Sequence, residues 1–294
     1  MKELFVEKAF RDDTLEVIDW VNDILTEYRA LGYDLTTRQV YYQLVAKDLI
    51  PNNPKSYNRI KGIVSQGRLA GLIDWDMIVD RTRGVVVPAH WESPAEIVET
   101  AAEQFRIDKW EDQPRHVEVM VEKQALEGVL IPVCRDLDIA FTANKGYSSS
   151  SAMYRAGKRL ARAAREGKEI FILYLGDHDP SGMDMDRDII ERLEMFSEYS
   201  LAFRRLALLM EQIDQMNIPE NPAKVSDSRA PAYIAEFGDA SWELDAMKPQ
   251  QLAEVVNLTV ENLRDEDLWR DAVEAEEEMR DELNRFVADY KDGE

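Results

Sequence analysis

The chain has 294 residues, 45% of them hydrophobic and 32% charged, enough apolar material for one or two domains with a substantial core. Cys134 is the single cysteine, which excludes an intrachain disulfide and a thiolate zinc cluster, and no run of about 18 apolar residues offers a membrane span. The net charge of −22 argues against a polyanionic partner until its distribution is read: residues 183–294 hold 12 basic and 29 acidic side chains, residues 34–83 hold 8 and 5, and residues 141–168 hold 7 and 1.

Two positive islands therefore sit in an acidic chain. The opening "MKELFVEKAF" is charged throughout and has no apolar signal core, so a cytoplasmic protein is expected, nucleoid-associated if cellular. "DDTLEVIDWVNDILTEYRAL" places Leu15, Ile18, Val21, Leu25 and Tyr28 at helical spacing behind an Asp/Thr cap. "TTRQVYYQLVAK" and "KSYNRIKGIVSQGRLAG" predict two more helices, separated by the breakers of "DLIPNNP". With "GLIDWDMIVDRTRGVVV" behind them, residues 1–90 have the layout of a helix-turn-helix with a wing. Residues 91–115 then predict a connector with one helix.

From residue 116 the period changes. "HVEVMVE", "IAFTA", "KEIFILYL" and "LAFRRLAL" predict strands, and "KQALEGVLIPVCRDL", "SSAMYRAGKRLARAARE" and residues 183–196 predict helices between them. The alternation predicts an α/β fold with a mostly parallel sheet over residues 116–247, behind an all-α, winged-helix N-terminal part. "NIPENPAKVSDSRAPAY" predicts a loop, and residues 248–294 an acidic helical segment whose "DAVEAEEEMRDEL" is a solvated face.

Ligands of parallel sheets bind beyond the carboxyl ends of the strands. Glu122 closes one predicted strand, and Asp177 and Asp179 follow another in "YLGDHDPSGMDMD". Carboxylates crowded at a buried edge repel, and hard oxygen donors without Cys or His partners suit Mg²⁺, with Mn²⁺ as an alternative. Pro180 and Gly182 mark a turn that would bring both aspartates toward one ion; the same four residues, Asp179 to Gly182, also suit a plain helix cap. His178 is expected to be a turn residue, and Asp184 a weaker third acid.

A glutamate after one strand ("VMVEK") and D-x-D with P-x-G after a later one ("GDHDPSGMD") resemble the Toprim domain of topoisomerases, primases and related nucleases. With "NKGYSSSS", the pattern is most similar to the A subunit of type IIB topoisomerases and the meiotic double-strand-break transesterase, over roughly residues 34–83 and 116–247. Stand-alone chains of this kind are known as mini-A proteins. The resemblance implies a winged-helix tyrosine within a motif like R-x-x-Y-Y, here Arg38, Tyr41 and Tyr42. Helical geometry separates the two tyrosines: Val40, Leu44 and Val45 centre an apolar face near Tyr41, while Tyr42 points roughly 130° away and shares a face with Arg38. Tyr42 is the expected nucleophile, Arg38 its phosphate or phenolate partner, and Glu122 a metal ligand or general acid/base beside the ligands Asp177 and Asp179. The resemblance further implies a homodimer in which one subunit's tyrosine serves the other's metal site, and a separate ATPase subunit, since no G-x-x-x-x-G-K-[ST] loop occurs in this sequence.

Double-stranded DNA is the expected partner. "KGYSSSSAMYRAGKRLARAAR" sets Arg155, Lys158, Arg159, Arg162 and Arg165 in a stripe about 120° wide, behind a hydroxyl-rich helix start with Lys145 and Tyr147. Asn58, Arg59 and Lys61 face away from Ile60, Ile63 and Val64, as on a groove-reading helix. The leading expectation is Mg²⁺-dependent DNA cleavage and rejoining through Tyr42. A Toprim nuclease that uses water, and a DNA-binding protein without catalysis, are the alternatives.

Overall fold

Thr36 and Asn53 each end an extended segment and cap the helix that follows. Thr36 and Gln39 exchange side-chain to backbone bonds, and Asn53 Oδ1 accepts from the Ser56 N–H at 2.9 Å, with Pro54 at the first helical position. The computed structural model describes residues 1–79, 88–144 and 148–292. In it α1 (Asp12–Ala30), α2 (Thr37–Ala46) and α3 (Pro54–Leu69) pack around Ile18, Val21, Leu25, Val40, Leu44, Ile60 and Val64. Each such buried aliphatic side chain contributes about 1.5–3 kcal/mol. Past α3, isolated bridges join Leu4 to Ala70 and Leu35 to Ile78. The rest of the expected wing, residues 80–87, lies outside the described residues.

After α4 (Pro94–Gln104) the sheet begins. It is built from β1 (Arg115–Val121), α5 (Glu127–Asp136), β2 (Ala140–Ala143), α6 (Ser150–Arg165), β3 (Glu169–Leu175), α7 (Pro180–Ser197) and β4 (Ala202–Ala207). The four strands are parallel in the order β2-β1-β3-β4, so the protein is α/β with a parallel sheet and a helical C-terminal part. Between β4 and the C-terminal helices lie α8 (Met210–Met216), β5 (Asn221–Pro222), α9 (Ala230–Phe237) and β6 (Ala240–Ser241), of which β5 and the start of α9 fall within the predicted loop. β5 pairs antiparallel with β6, a non-local pairing that no local period announces. α10 (Pro249–Glu261) and α11 (Glu266–Asp292) follow, and α11 lies against α4. Glu276 departs from the expected solvated face of α11: it is buried and bonded to Lys109 and Arg280. Among the described residues no helix is long and apolar enough to cross a membrane.

Both faces of the sheet are covered. Val119, Val121, Leu173 and Leu175 meet Val129 and Leu130 of α5 and Val256 and Val260 of α10, while Met120, Ile172 and Tyr174 meet Leu160 of α6 and Ile189 and Leu193 of α7. The alternation of "HVEVMVE" therefore does not mark a wet face. Glu118 is 0% exposed beneath α6, where Arg159 grips both its oxygens at 2.8 and 3.1 Å and His116 Nε2 lies 3.1 Å away.

Burial alone would raise the Glu118 carboxyl, but bonds from His116 and Arg159 and the Arg159 charge hold it below its ordinary value. A depressed folded value gives stability that is present above the unfolded value of about 4.3 and is lost as pH falls through the folded one. Arg159→Ala is expected to cost about 2 kcal/mol at pH 7, less than the ~3–5 kcal/mol of a fully buried pair, because Arg159 is 45% exposed. Urea unfolding at pH 7 and at pH 3 tests this, since the deficit should shrink once Glu118 is protonated.

Candidate functional site

β1 and β3 are aligned so that Val121 stands beside Leu175, and the Glu122 N–H donates to the Leu175 carbonyl at 2.9 Å. The two strands thus release their next residues side by side. The Asp177 N–H donates to Glu122 Oε2 at 2.7 Å, which brings Glu122 against the "GDHD" turn. Asp179 turns the other way and caps α7, accepting from the Gly182 N–H at 2.6 Å and the Ser181 hydroxyl at 3.0 Å. Gly182 is needed for this turn, because a Cβ there would stand 2.3 Å from the Asp177 carbonyl oxygen.

His178 works as a clamp. Its backbone exchanges two 2.9 Å bonds with Trp242, its Nδ1 lies 2.8 Å from the Tyr233 hydroxyl, and its ring packs on Phe237 and Trp242. Burial and the Arg205 charge push the imidazole down to about 4, so it is neutral at physiological pH. The clamp draws residues 243–245 onto the sheet edge, where the Leu244 N–H donates to Asp177 Oδ1 at 2.7 Å.

Lys123, Glu243 and Asp245 complete the site and were absent from the sequence expectations. Lys123 Nζ lies 2.7 Å from Asp177 Oδ1, 2.7 Å from Glu243 Oε2 and 3.0 Å from Asp245 Oδ2. Arg38 of α2 pairs with Glu243 and reaches Asp245 Oδ2 at 3.3 Å. Among the described residues Asp245 Oδ1 is buried with no hydrogen-bond partner. Burial lowers the affinity of Lys123 for its proton, but Asp245, Asp177 and Glu243 together outweigh it and hold the ammonium well above its ordinary value. Burial, the Asp177 charge and, less strongly, Asp179 raise the Glu122 carboxyl to about 7 against the opposing Asp177 N–H and Lys123.

Among the described residues no three acidic, thiol or imidazole side chains gather closely enough to enclose an ion. The reason is local: an ammonium already stands among Asp177, Glu243 and Asp245, and the Asp179 carboxylate is engaged by α7. Asp184 lies further along α7, where it pairs with Arg187 at 2.9 Å and Arg229 at 3.0 Å.

Tyr41 and Tyr42 are both 3% exposed, so the expected contrast between a packed and an outward ring is not found. α2 is covered on two sides, by α1 and α3 and by the 244–246 turn. The hydroxyls nevertheless differ. Tyr41 donates to Asn52 Oδ1 at 2.7 Å and accepts from the Asn53 N–H at 2.9 Å. The Tyr42 hydroxyl has a long 3.4 Å contact with the Asn221 amide, and the Arg38 guanidinium lies 6.0 Å from its ring centre. Burial, then Glu243, raises the Tyr42 phenol above its ordinary value, while Asn221 and Arg38 oppose. A cavity of about 280 Å³ lined by Arg38, Tyr41, Tyr42, Asn52, Asn221 and Glu243 leads to it.

Arg155, Lys158, Arg162 and Arg165 are exposed along α6, over a buried face of Met153, Ala156, Leu160 and Ala163. Arg159 shares that stripe, but Glu118 holds its guanidinium. On α3, Arg59 pairs with Asp13 at 3.0 Å and Asn58 is exposed, whereas Lys61 lines a cleft on another side. Asn58, Arg59 and Lys61 are all exposed and fall within an arc of about 160° on the helix, with Asn58 between the other two. Lys145 and Tyr147 lie outside the described residues. Cys134 is buried and its thiol is pushed up to about 12, which removes it as a nucleophile. Comparison of the chain with protein-family models, curated proteins and solved structures gave no match.

Proposed function

We propose that this chain cleaves and rejoins duplex DNA as a tyrosine transesterase of the type IIB topoisomerase A-subunit kind, with a Toprim-like sheet edge and Tyr42 as nucleophile. One observation carries the reading: an unbroken path of ion pairs joins Arg38, beside the Tyr42 phenol, through Glu243, Asp245 and Lys123 to Asp177 at the carboxyl end of β3. Glu122 and Asp177 at neighbouring ends of parallel strands support the Toprim resemblance. The exposed basic stripe of α6 suits a DNA backbone.

The donor set fits a hard dication in kind. Carboxylate oxygens are the donors such an ion takes, and burial, then the Asp177 charge, raises Glu122 in a way that a bound dication would oppose, although Asp179 would have to leave its α7 cap to join the two. Glu122, Asp177 and Asp179 would hold Mg²⁺, which when bound would offset that charge and polarise a phosphate. The chain's own residues do the rest. Arg38 binds phosphate or steadies a phenolate, Lys123 opposes the rise that burial imposes on the Asp177 carboxyl, and the Asn221 amide orients the Tyr42 hydroxyl. The resemblance implies a dimer with exchanged tyrosines, and the cis path from Arg38 supports a site that each subunit also completes within itself.

Supercoiled plasmid incubated with the protein and Mg²⁺, then stopped with detergent, should yield DNA bonded to protein, and chelation should prevent it. No adduct under any divalent metal would overturn the proposal. The burial of Tyr42 favours a second reading, a hydrolytic nuclease at the same edge, for which nicking without an adduct is the expected outcome.

A further inference from the structure

The N-terminal helices border a second, larger cleft of about 560 Å³ that shares Arg38 and Tyr57 with the tyrosine cavity. Tyr57, Lys61, Ser65 and Arg68 recur at helical spacing and form its α3 wall; Arg38 and Trp75 stand among the remaining lining residues. Its described lining holds three cations and no carboxylate, in a chain with 58 acidic residues against 36 basic ones. With Arg38 shared with Glu243 and Asp245 outside the cleft and Asp74 and Asp76 acting on Arg68, Lys61 leads a lining that favours an anion.

The lining also selects for shape. The Arg68 guanidinium lies 4.4 Å from the centre of the Trp75 ring, and its Nη2 donates to the Trp75 carbonyl at 2.6 Å. Among the described residues Arg68 Nε and the Trp75 indole N–H are buried without a hydrogen-bond partner, which a ligand acceptor would supply. Two aromatic rings beside cations and hydroxyls, in a volume within the roughly 300–1,000 Å³ of small-molecule sites, suit a planar heterocycle that carries phosphate.

We infer that this cleft binds a single nucleotide, its base against Trp75 and Tyr57 and its phosphate between Lys61 and Arg38. The same chemistry comes from a free nucleoside phosphate or from a nucleotide unpaired from a duplex. The second source rests on the DNA-cleavage reading, because Arg38 also borders the Tyr42 cavity.

Calorimetry of the full chain with dAMP, in metal-free buffer where no cleavage occurs, tests the inference apart from that reading. Saturable one-to-one binding is expected, weakened at least tenfold by Lys61→Glu, an exposed position, and by Trp75→Ala, with circular dichroism to check folding. Inorganic phosphate that binds as tightly as dAMP would overturn the proposal, as would dAMP affinity unchanged in Lys61→Glu. Two duplexes, one with a single unpaired adenine and one with an abasic residue in its place, separate the sources. A tenfold preference for the first assigns a DNA-borne nucleotide, and dAMP binding without that preference assigns a free one. Neither dAMP binding nor preference would sink the cleft as a nucleotide site, whatever the adduct assay shows.

Discussion

Tyr42→Phe is expected to abolish the covalent protein–DNA adduct, a loss of at least about 10³-fold by analogy with removal of other catalytic nucleophiles, while the protein stays folded. The substitution keeps the ring and its 5.1 Å packing on Tyr41, and deletes a hydroxyl whose contact with Asn221 is long, at 3.4 Å. Its stability cost is accordingly about 1 kcal/mol or less. Tyr41→Phe should behave in the opposite way. It strips partners from Asn52 and the Asn53 N–H, which costs about 1–3 kcal/mol, and it leaves the adduct in place. Detergent-trapped labelled DNA and urea unfolding, measured on both variants, give the crossed pattern. Metal-dependent nicking that survives in Tyr42→Phe would move the chemistry from the phenol to water and make the hydrolytic reading the correct one.

Lys123→Met should destabilise the protein by about 3–5 kcal/mol at neutral pH. It leaves Asp177, Glu243 and Asp245 around a space that held their shared cation, with Arg38 as the remaining counter-charge beside Glu243 and Asp245. The sign follows from linkage. The folded Lys123 ammonium is held above its ordinary value, so its contribution is complete below the unfolded value of about 10.4 and is lost only as pH rises through the folded one. The deficit of the variant should therefore be undiminished at pH 7 and shrink in acid, where the carboxylates take up protons. Mg²⁺ should raise the melting temperature of Lys123→Met more than that of the parent, because a dication can stand in for the missing charge. Thermal melts with and without Mg²⁺ measure both effects, and an unchanged melting temperature at pH 7 would mean that the ion-pair path contributes nothing.

Much of the scaffold was legible because its signals are local. Change of hydrophobic period located the four strands, and Thr36, Asn53, Ser149 and Asp179 mark helix starts with their own side chains. The meeting of Glu122 with the Asp177 turn follows from two parallel strands that end in register. What stayed hidden depends on distant chain. Glu243 and Asp245 reach the edge through the His178–Trp242 bridge, between segments more than 60 residues apart, and the only hint is that "ELD" repeats the two-residue spacing of "DHD". Lys123 adjoins Glu122 in sequence, yet its value comes from acids that arrive later. Periodicity assigned one apolar face to α2 and so left Tyr42 outside, although a second layer covers it. The burial of Glu118 was not legible for a related reason, since strand alternation cannot tell a wet face from one covered by α6.

The Arg38 pairing has a mechanical side. α2 is fastened to the 244–246 turn through carboxylates, and an incoming phosphodiester offers the same guanidinium a rival anion. On the DNA-cleavage proposal, an entering phosphate would compete with Glu243 and Asp245 for Arg38, so its arrival and the loosening of α2 from that segment would be one exchange of counter-ions.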